Sequence, residues 1–65
     1  MHILVWNMRK YRRMTLVGLA EKSGISKTTL NNIENEKVWP TILQLEQIAK
    51  ALHVHINDLF DSPYR

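Results

Sequence analysis

Apolar residues recur at three- and four-residue spacing along most of the chain, which is the period of amphipathic α-helices. This pattern predicts four helices, at residues 4–12, 16–22, 27–35 and 42–52. The residues predicted to face the core are Leu4, Val5, Met8, Tyr11, Leu16, Leu19, Ala20, Leu30, Ile33, Leu45, Ile48, Ala49 and Leu52. A fifth segment, residues 55–60, predicts one or two further helical turns, which Pro63 ends. Its side chains expected to cover the core are Ile56, Leu59 and Phe60. The expected fold class is therefore all-α, a compact five-helix bundle.

Polar residues mark where the predicted helices begin. Thr15 and Ser26 precede the second and third helices, and a side-chain oxygen there can accept a hydrogen bond from an unpaired backbone N–H. Thr41 followed by Gln44 has the spacing of a capping box before the fourth helix. Gly24 lies between the second and third helices, where a sharp reversal usually needs one residue in the left-handed region. The sequence thus predicts two short helices joined by a tight turn.

The second and third predicted helices meet the packing demands of a helix-turn-helix. Ala20 is small at the point where the two helices must cross, and Ile25 fixes the turn to the core. Leu30 and Ile33 hold the third helix from one side. The polar residues left on its outer face are Lys27, Thr28, Asn31 and Asn32. Lysine can donate to guanine, asparagine can pair with adenine, and threonine can touch a thymine methyl group, so this face is a candidate for reading DNA.

This ordered set of residues resembles the single-domain helix-turn-helix proteins of the phage repressor and Cro type, also called the xenobiotic response element family. Residues 15–26 (TLVGLAEKSGIS) resemble the family's second helix and turn, and residues 27–37 (KTTLNNIENEK) its recognition helix and exit. Residues 40–52 with Leu59 and Phe60 match the last two helices. The resemblance implies one lambda-repressor-like domain over residues 1–65, with a core at about 5–60 and the helix-turn-helix at about 16–35. It also implies a cytoplasmic transcriptional regulator, expected to be a repressor, that binds double-stranded DNA as a homodimer.

The resemblance places Lys27, Thr28 and Asn32 at the family's base-reading positions. Eight residues on or beside the third helix are candidates for contact with DNA. They are Ser26, Lys27, Thr28, Thr29, Asn31, Asn32, Asn35 and Lys37. The alternative is a plain solvated helix surface, and for Ser26 the helix cap alone is a sufficient role. The resemblance further implies an ion pair between Arg9 and Glu34 that fixes the first helix to the third. The alternative there is two unrelated solvated charges.

Several positions depart from the family's pattern. Leu16 stands where many members carry a glutamine that touches DNA, and Val17 and Gly18 follow where acidic residues are common. Glu36 occupies a position after the third helix where the family favours glycine, and Trp39 replaces the polar residue before the proline. These changes put the usual phosphate contact of the second helix in doubt, but they leave the outer face of the third helix intact.

Three apolar residues fall at positions that the helical period points outward, namely Val17, Trp39 and Leu43. Trp39 either folds back onto the helices as a plug for the loop or joins Leu43 in the interface of a homodimer. We favour the dimer, because one short recognition helix makes few base contacts and two-fold pairing doubles them. A second hypothesis keeps the fold but makes it a protein-interaction module, such as an antitoxin-like modulator. This module would use Leu16 together with the same outward residues.

Composition and charge narrow the class of protein further. The 65 residues carry a net charge of +3, and residues 1–37 hold seven Lys/Arg against three acids, whereas residues 38–65 balance to −1. A basic first half suggests a polyanionic partner, although ordinary solvated charge is the rival explanation. The chain has no cysteine, which excludes disulfides and thiolate metal sites and fits a reducing cytoplasm. Residues 1–6 are apolar, but this run is too short for a signal peptide or a membrane span.

The residue types that catalysis and metal binding require are poorly represented. His53 and His55 alternate without a third ligand nearby, which is a weak zinc signal, so no metal and no cofactor are expected. His53 stands where the family has a glycine after the fourth helix, and His55 stands at a helix-cap position. No catalytic constellation is present and a domain this small has little room for an enclosed site. We therefore expect neither an enzyme nor a small-molecule ligand.

Overall fold

Helices dominate the computed structural model, which describes residues 1–62. The elements in chain order are β1 (His2–Ile3), α1 (Val5–Tyr11), α2 (Leu16–Ser23), α3 (Lys27–Glu34), α4 (Ile42–Leu52), a 3-10 turn (Ile56–Leu59) and β2 (Phe60–Asp61). The four predicted α-helices are confirmed, and α4 has the predicted bounds. Pro63, which was predicted to end the last segment, lies outside the described residues.

The prediction of a fifth helix is wrong, because the segment forms one 3-10 turn and then becomes extended. The N–H of Asp58 donates to the carbonyl of His55 over 2.9 Å, a three-residue spacing. Phe60 then adopts an extended backbone, with φ −151° and ψ 158°. This lets Phe60 pair with Ile3 in a two-stranded antiparallel sheet, in which His2 lies opposite Asp61. The sheet was not predicted, and its second strand, Phe60–Asp61, stands where the sequence predicted that the helix would continue to residue 60.

The core forms where the inward faces of all four helices meet the 3-10 turn. Its fully buried side chains are Val5, Leu19, Leu30, Ile33, Ile48, Leu52 and Leu59. Tyr11 was predicted to join them, but 71% of its surface is exposed. The inward stripe of α1 runs instead through Val5 and Arg9, which are four residues apart and both buried. This face places Tyr11 outside, where the Arg12 guanidinium lies 5.3 Å from its ring centre.

The predicted caps and the predicted turn are confirmed. Thr15 Oγ1 accepts from the Gly18 N–H over 3.0 Å. Thr41 and Gln44 form both bonds of a capping box, each 3.0 Å long. Gly24 ends α2 with φ 77°, and a Cβ added there would meet no atom within 4 Å. The turn therefore requires glycine for its backbone conformation and not for lack of space.

Among residues 1–62, three non-glycine residues also adopt the left-handed conformation: Arg13 (φ 55°), Glu36 (φ 58°) and His53 (φ 56°). Glu36 follows α3, and His53 caps the end of α4. These are two positions at which the family resemblance led us to expect glycine. The backbone of that pattern is kept here although the glycine is not, so each residue carries the strain that glycine avoids.

None of the helices within residues 1–62 has both the length and the apolar character needed to cross a membrane.

Candidate nucleic-acid interface

Helix α3 is held to the core from one side and leaves a polar face outside. Leu30 and Ile33 are fully buried beneath it. On the opposite side Lys27, Thr28 and Asn31 are exposed, while Asn32 is half-buried. Because two apolar anchors fix the helix, the outward side chains stand on a rigid support, which is what a surface that recognises a ligand by shape requires.

The start of α3 is built by a cap in which two predicted site residues take part. The Ser26 hydroxyl accepts from the Thr29 N–H over 3.1 Å and donates to the Thr29 hydroxyl over 2.9 Å. Both hydroxyl groups are thus engaged within the cap. Lys27 and Thr28 lie between them in the first turn, with their side chains free of the core.

The end of α3 is ordered by hydrogen bonds that include the other predicted site residues. Asn35 Nδ2 donates to Asn31 Oδ1 over 3.3 Å. The Lys37 N–H donates to the Asn32 carbonyl over 2.9 Å, which turns the chain back against the helix. All eight residues predicted to contact DNA therefore lie on α3 or within three residues of its ends, on one continuous stretch.

The ion pair between Arg9 and Glu34 is confirmed and is almost fully buried. Arg9 Nε donates to Glu34 Oε2 over 2.7 Å and Arg9 Nη2 donates to Glu34 Oε1 over 3.1 Å. Only 9% and 6% of the two side chains are exposed. Arg9 Nη1 also donates to the Met14 carbonyl over 3.0 Å. The guanidinium thereby joins α1, the segment before α2 and the last residue of α3.

A second carboxylate also supports the exit of α3, and the sequence did not reveal it. Glu36 Oε1 accepts from the Ile3 N–H over 2.8 Å and lies 3.6 Å from His2 Nδ1. This contact joins residues 33 positions apart, so no local pattern could have indicated it. The only signal available in the sequence was an acidic residue at a position where the family favours glycine.

Four of the exposed basic residues fall in two regions of the surface. Lys27 and Lys37 belong to the stretch around α3, whereas Lys10 and Arg12 lie on or just after α1. The Lys10 ammonium lies 5.5 Å from the centre of the Trp6 ring, and Arg12 Nη2 donates to the His53 carbonyl over 2.9 Å. Lys10 and Arg12 thus have contacts outside the stretch around α3.

The three histidines do not come together with acidic residues in a metal-binding cluster among residues 1–62. His53 and His55 take the cap positions that the sequence indicated: His53 ends α4, and the His55 N–H donates to Asp58 Oδ2 over 3.0 Å at the start of the 3-10 turn.

The sequence pattern that defines a family described as "Helix-turn-helix" matches residues 7–59. The chain belongs to this family, in its phage repressor and Cro type. The match runs from α1 through the 3-10 turn, so it contains α3 with all eight predicted site residues.

Three curated relatives resemble the chain. The "Immunity repressor protein" of Bacillus phage phi105 is 38% identical over 50 residues, which cover 77% of this chain and 35% of the relative. The "HTH-type transcriptional regulator SinR" of Bacillus subtilis is 37% identical over 57 residues, covering 86% and 51% of the two chains. The "HTH-type transcriptional regulator SutR" of Escherichia coli K12 is 36% identical over 56 residues, covering 86% and 32%. The chain thus spans about a third to a half of the length of these relatives.

Among solved structures, the chain resembles "The N-terminal DNA binding domain of SinR from Bacillus subtilis". It matches with a TM-score of 0.80 and 32% identity, and the match covers 94% of this chain and 90% of that one. The likeness therefore extends over a whole domain of SinR.

Proposed function

We propose that this chain is a DNA-binding transcriptional regulator that inserts α3 into the major groove of double-stranded DNA. The observation that carries the proposal is the construction of α3, with Leu30 and Ile33 buried and a row of polar side chains outside. The left-handed turn at Gly24 sets α3 across α2, as a helix-turn-helix requires. The names of the relatives support the proposal, since one is called a repressor, two are called transcriptional regulators and the matching domain is called DNA-binding.

The roles within the interface follow from side-chain chemistry. We assign base contacts to Lys27, Thr28, Asn31 and Asn32, because side chains of these types can donate to guanine, pair with adenine or touch thymine. We assign contacts with the DNA backbone to the residues at the two ends of the helix, namely Ser26, Thr29, Asn35 and Lys37. The backbone contacts set the register of α3 on the duplex, and the base contacts select the sequence.

The active form in this proposal is a homodimer that acts as a repressor. Eight residues of α3 reach only a few base pairs, and a two-fold pair of helices reads two half-sites about 34 Å apart. A dimer bound across a promoter in this way blocks access to it sterically.

Selection of bound duplexes from a random pool tests the proposal, and we expect a short two-fold symmetric consensus. Lys27→Ala and Asn32→Ala should each weaken binding to that consensus by about 1–3 kcal/mol, which is about 5- to 150-fold. Lys10→Ala is the matched control, since Lys10 lies on α1 against Trp6, and it should bind as the parent does. Circular dichroism verifies that each variant is folded. If both α3 variants bound the consensus as tightly as the parent, the assigned surface would be wrong.

One observation favours a second candidate function, a module that binds another protein. Val17 lies on α2 next to the position where the family carries its DNA-contacting glutamine, and half of its surface is exposed. Two results together would favour this candidate over the first. One is a protein partner that binds tightly to the parent and not to Val17→Lys. The other is DNA binding that is weak and insensitive to sequence at every salt concentration.

A further inference from the structure

The connection from α3 to α4 and the first turn of α4 together carry an apolar surface that the packing of this chain leaves uncovered. The exposed fraction of the four residues is 44% for Val38, 57% for Trp39, 67% for Ile42 and 65% for Leu43. We call these four residues the loop patch. The alternative in which Trp39 folds back onto the helices as a plug is excluded, because more than half of its surface faces solvent. An apolar cluster of this kind on a small domain usually marks an interaction surface.

We propose that the loop patch is the interface through which two copies of this chain pair. The proposal rests on the proposed function, which requires two copies of α3 on one duplex. The patch begins immediately after Lys37, whose N–H is bonded to the Asn32 carbonyl in α3. A two-fold axis through the patch therefore brings the exits of both α3 helices to the centre of the dimer, with a reading face on either side.

Charge distinguishes a second copy from other occupants of the loop patch. At a two-fold axis each residue lies close to the same residue of the second copy, so a charged residue there would meet its own charge. Residues 38–45 contain no charged side chain, so this repulsion is absent. Lys37 precedes this run, and Glu46 follows one helical turn after Ile42 and Leu43, on the same side of α4. Opposite charges therefore lie at the two edges of the patch. In a two-fold contact, Lys37 of each copy can face Glu46 of its partner.

The other exposed aromatic residues do not offer the same opportunity. Trp6 and Tyr11 on α1 are exposed, but Lys10 lies over one ring and Arg12 over the other. Two copies that met through this surface would bring cations of the same sign together, which is unfavourable. The self-complementary surface is the loop patch.

The size of the loop patch predicts a weak dimer. Four partly exposed side chains supply roughly half of the ~800 Å² per partner that a stable interface buries. The free protein should therefore be in equilibrium between monomer and dimer. Two adjacent half-sites hold both copies at high effective concentration, so nearly all of the protein bound to such DNA should be dimeric.

Leu43→Glu tests the proposal, with Tyr11→Glu as a matched control on exposed surface outside the patch. Sedimentation over a wide range of concentrations should show self-association of the parent and of Tyr11→Glu, and only monomer for Leu43→Glu. The single variants Lys37→Glu and Glu46→Lys should each dimerise less than the parent, and the double variant should regain dimerisation.

Leu43→Glu should also bind a duplex with two half-sites about tenfold or more weaker than the parent. It should bind a duplex with one half-site equally well, because the DNA surface is unchanged.

Failure of the interface and failure of the proposed function give different results. If Leu43→Glu dimerised as strongly as the parent, the interface would be rejected. The interface would also be rejected if the parent bound two half-sites no more tightly than expected for independent copies. Neither result would contradict DNA binding by α3. A dimer that Leu43→Glu abolishes, in a protein that selects no DNA sequence, would support the interface and reject the regulator. Parental self-association in Leu43→Glu together with loss of a different protein partner would reject a second copy as the occupant.

Discussion

Glu36 holds the N-terminal strand to the exit of the candidate recognition helix, because its carboxylate accepts a hydrogen bond of 2.8 Å from the backbone N–H of Ile3. The bond forms although Glu36 adopts a left-handed backbone with φ 58°. That conformation costs a non-glycine residue about 1–2 kcal/mol, whereas a hydrogen bond to a charged group contributes about 1.5–3 kcal/mol. The two effects are of similar size, and the bond explains why a glutamate is tolerated where the family favours glycine.

Substitution of Glu36 separates the two effects. Glu36→Ala keeps the strain and removes the bond, so it should lower the free energy of unfolding by about 1–2 kcal/mol. Glu36→Gly should lower it less, because glycine adopts the left-handed conformation without strain, and Glu36→Gln should lower it least, because the amide oxygen still accepts. Urea unfolding measures all three. Lys50→Ala, on the exposed face of α4, is the control and should stay within about 0.5 kcal/mol of the parent. An alanine variant as stable as the parent would show that the bond to Ile3 contributes nothing.

The buried pair of Arg9 and Glu34 should respond more strongly to the loss of one partner. Arg9→Met leaves the Glu34 carboxylate with 6% of its side chain exposed and no counter-charge, which should cost about 3–5 kcal/mol. Adding Glu34→Leu to Arg9→Met removes the uncompensated charge and should recover much of the loss. A double-mutant cycle by urea unfolding measures the coupling, and Lys50→Met on the exposed surface of α4 is the control. If Arg9→Met alone lay within 1 kcal/mol of the parent, the pair would behave as solvated charges and not as a fixed link between α1 and α3.

The features that the sequence predicted well are those with local causes. The bounds of α4 follow from the Thr41 and Gln44 capping box and from its apolar period, both of which lie within a few residues. The turn at Gly24 follows from one residue's freedom to take φ 77°. For the same reason the positions of all eight candidate site residues could be predicted, because α3 carries them in sequence.

The features that the sequence did not predict depend on contacts between distant parts of the chain. Strands of two residues have no recognisable period, and His2 pairs with Asp61 only because the two ends of the domain meet. Tyr11 was placed inward by its spacing from Met8, but the pairing of Arg9 with Glu34 sets which face of α1 is buried. Local spacing leaves that rotation undetermined, and the partner across the core decides it.

The cap of α4 offers a stabilising substitution. His53 is exposed and adopts φ 56°, while the Arg12 bond goes to its backbone carbonyl and does not need the imidazole. His53→Gly should therefore stabilise the domain by about 1 kcal/mol, raising its thermal midpoint by roughly 4–8 °C. Gly24→Ala is the opposite test, since it adds a Cβ into open space at φ 77° and should destabilise by a similar amount. A lower midpoint for His53→Gly would mean that the imidazole makes a contact worth more than the strain.

The salt dependence of DNA binding should separate the two lysines of the α3 surface. Lys37 follows the helix and is assigned to the DNA backbone, so Lys37→Ala should weaken binding to all sequences alike and reduce the slope of log K against log salt by about 1. Lys27 lies in the first turn and is assigned to a base, so Lys27→Ala should relax the preference at one position of the half-site. Titrations on a duplex with a single half-site keep dimerisation out of both measurements. Lys50→Ala, on the exposed surface of α4, should change neither the slope nor the preference. If Lys27→Ala altered the slope without altering the preference at any base, Lys27 would have to be reassigned to the phosphates, and the reading of sequence would rest on Thr28, Asn31 and Asn32.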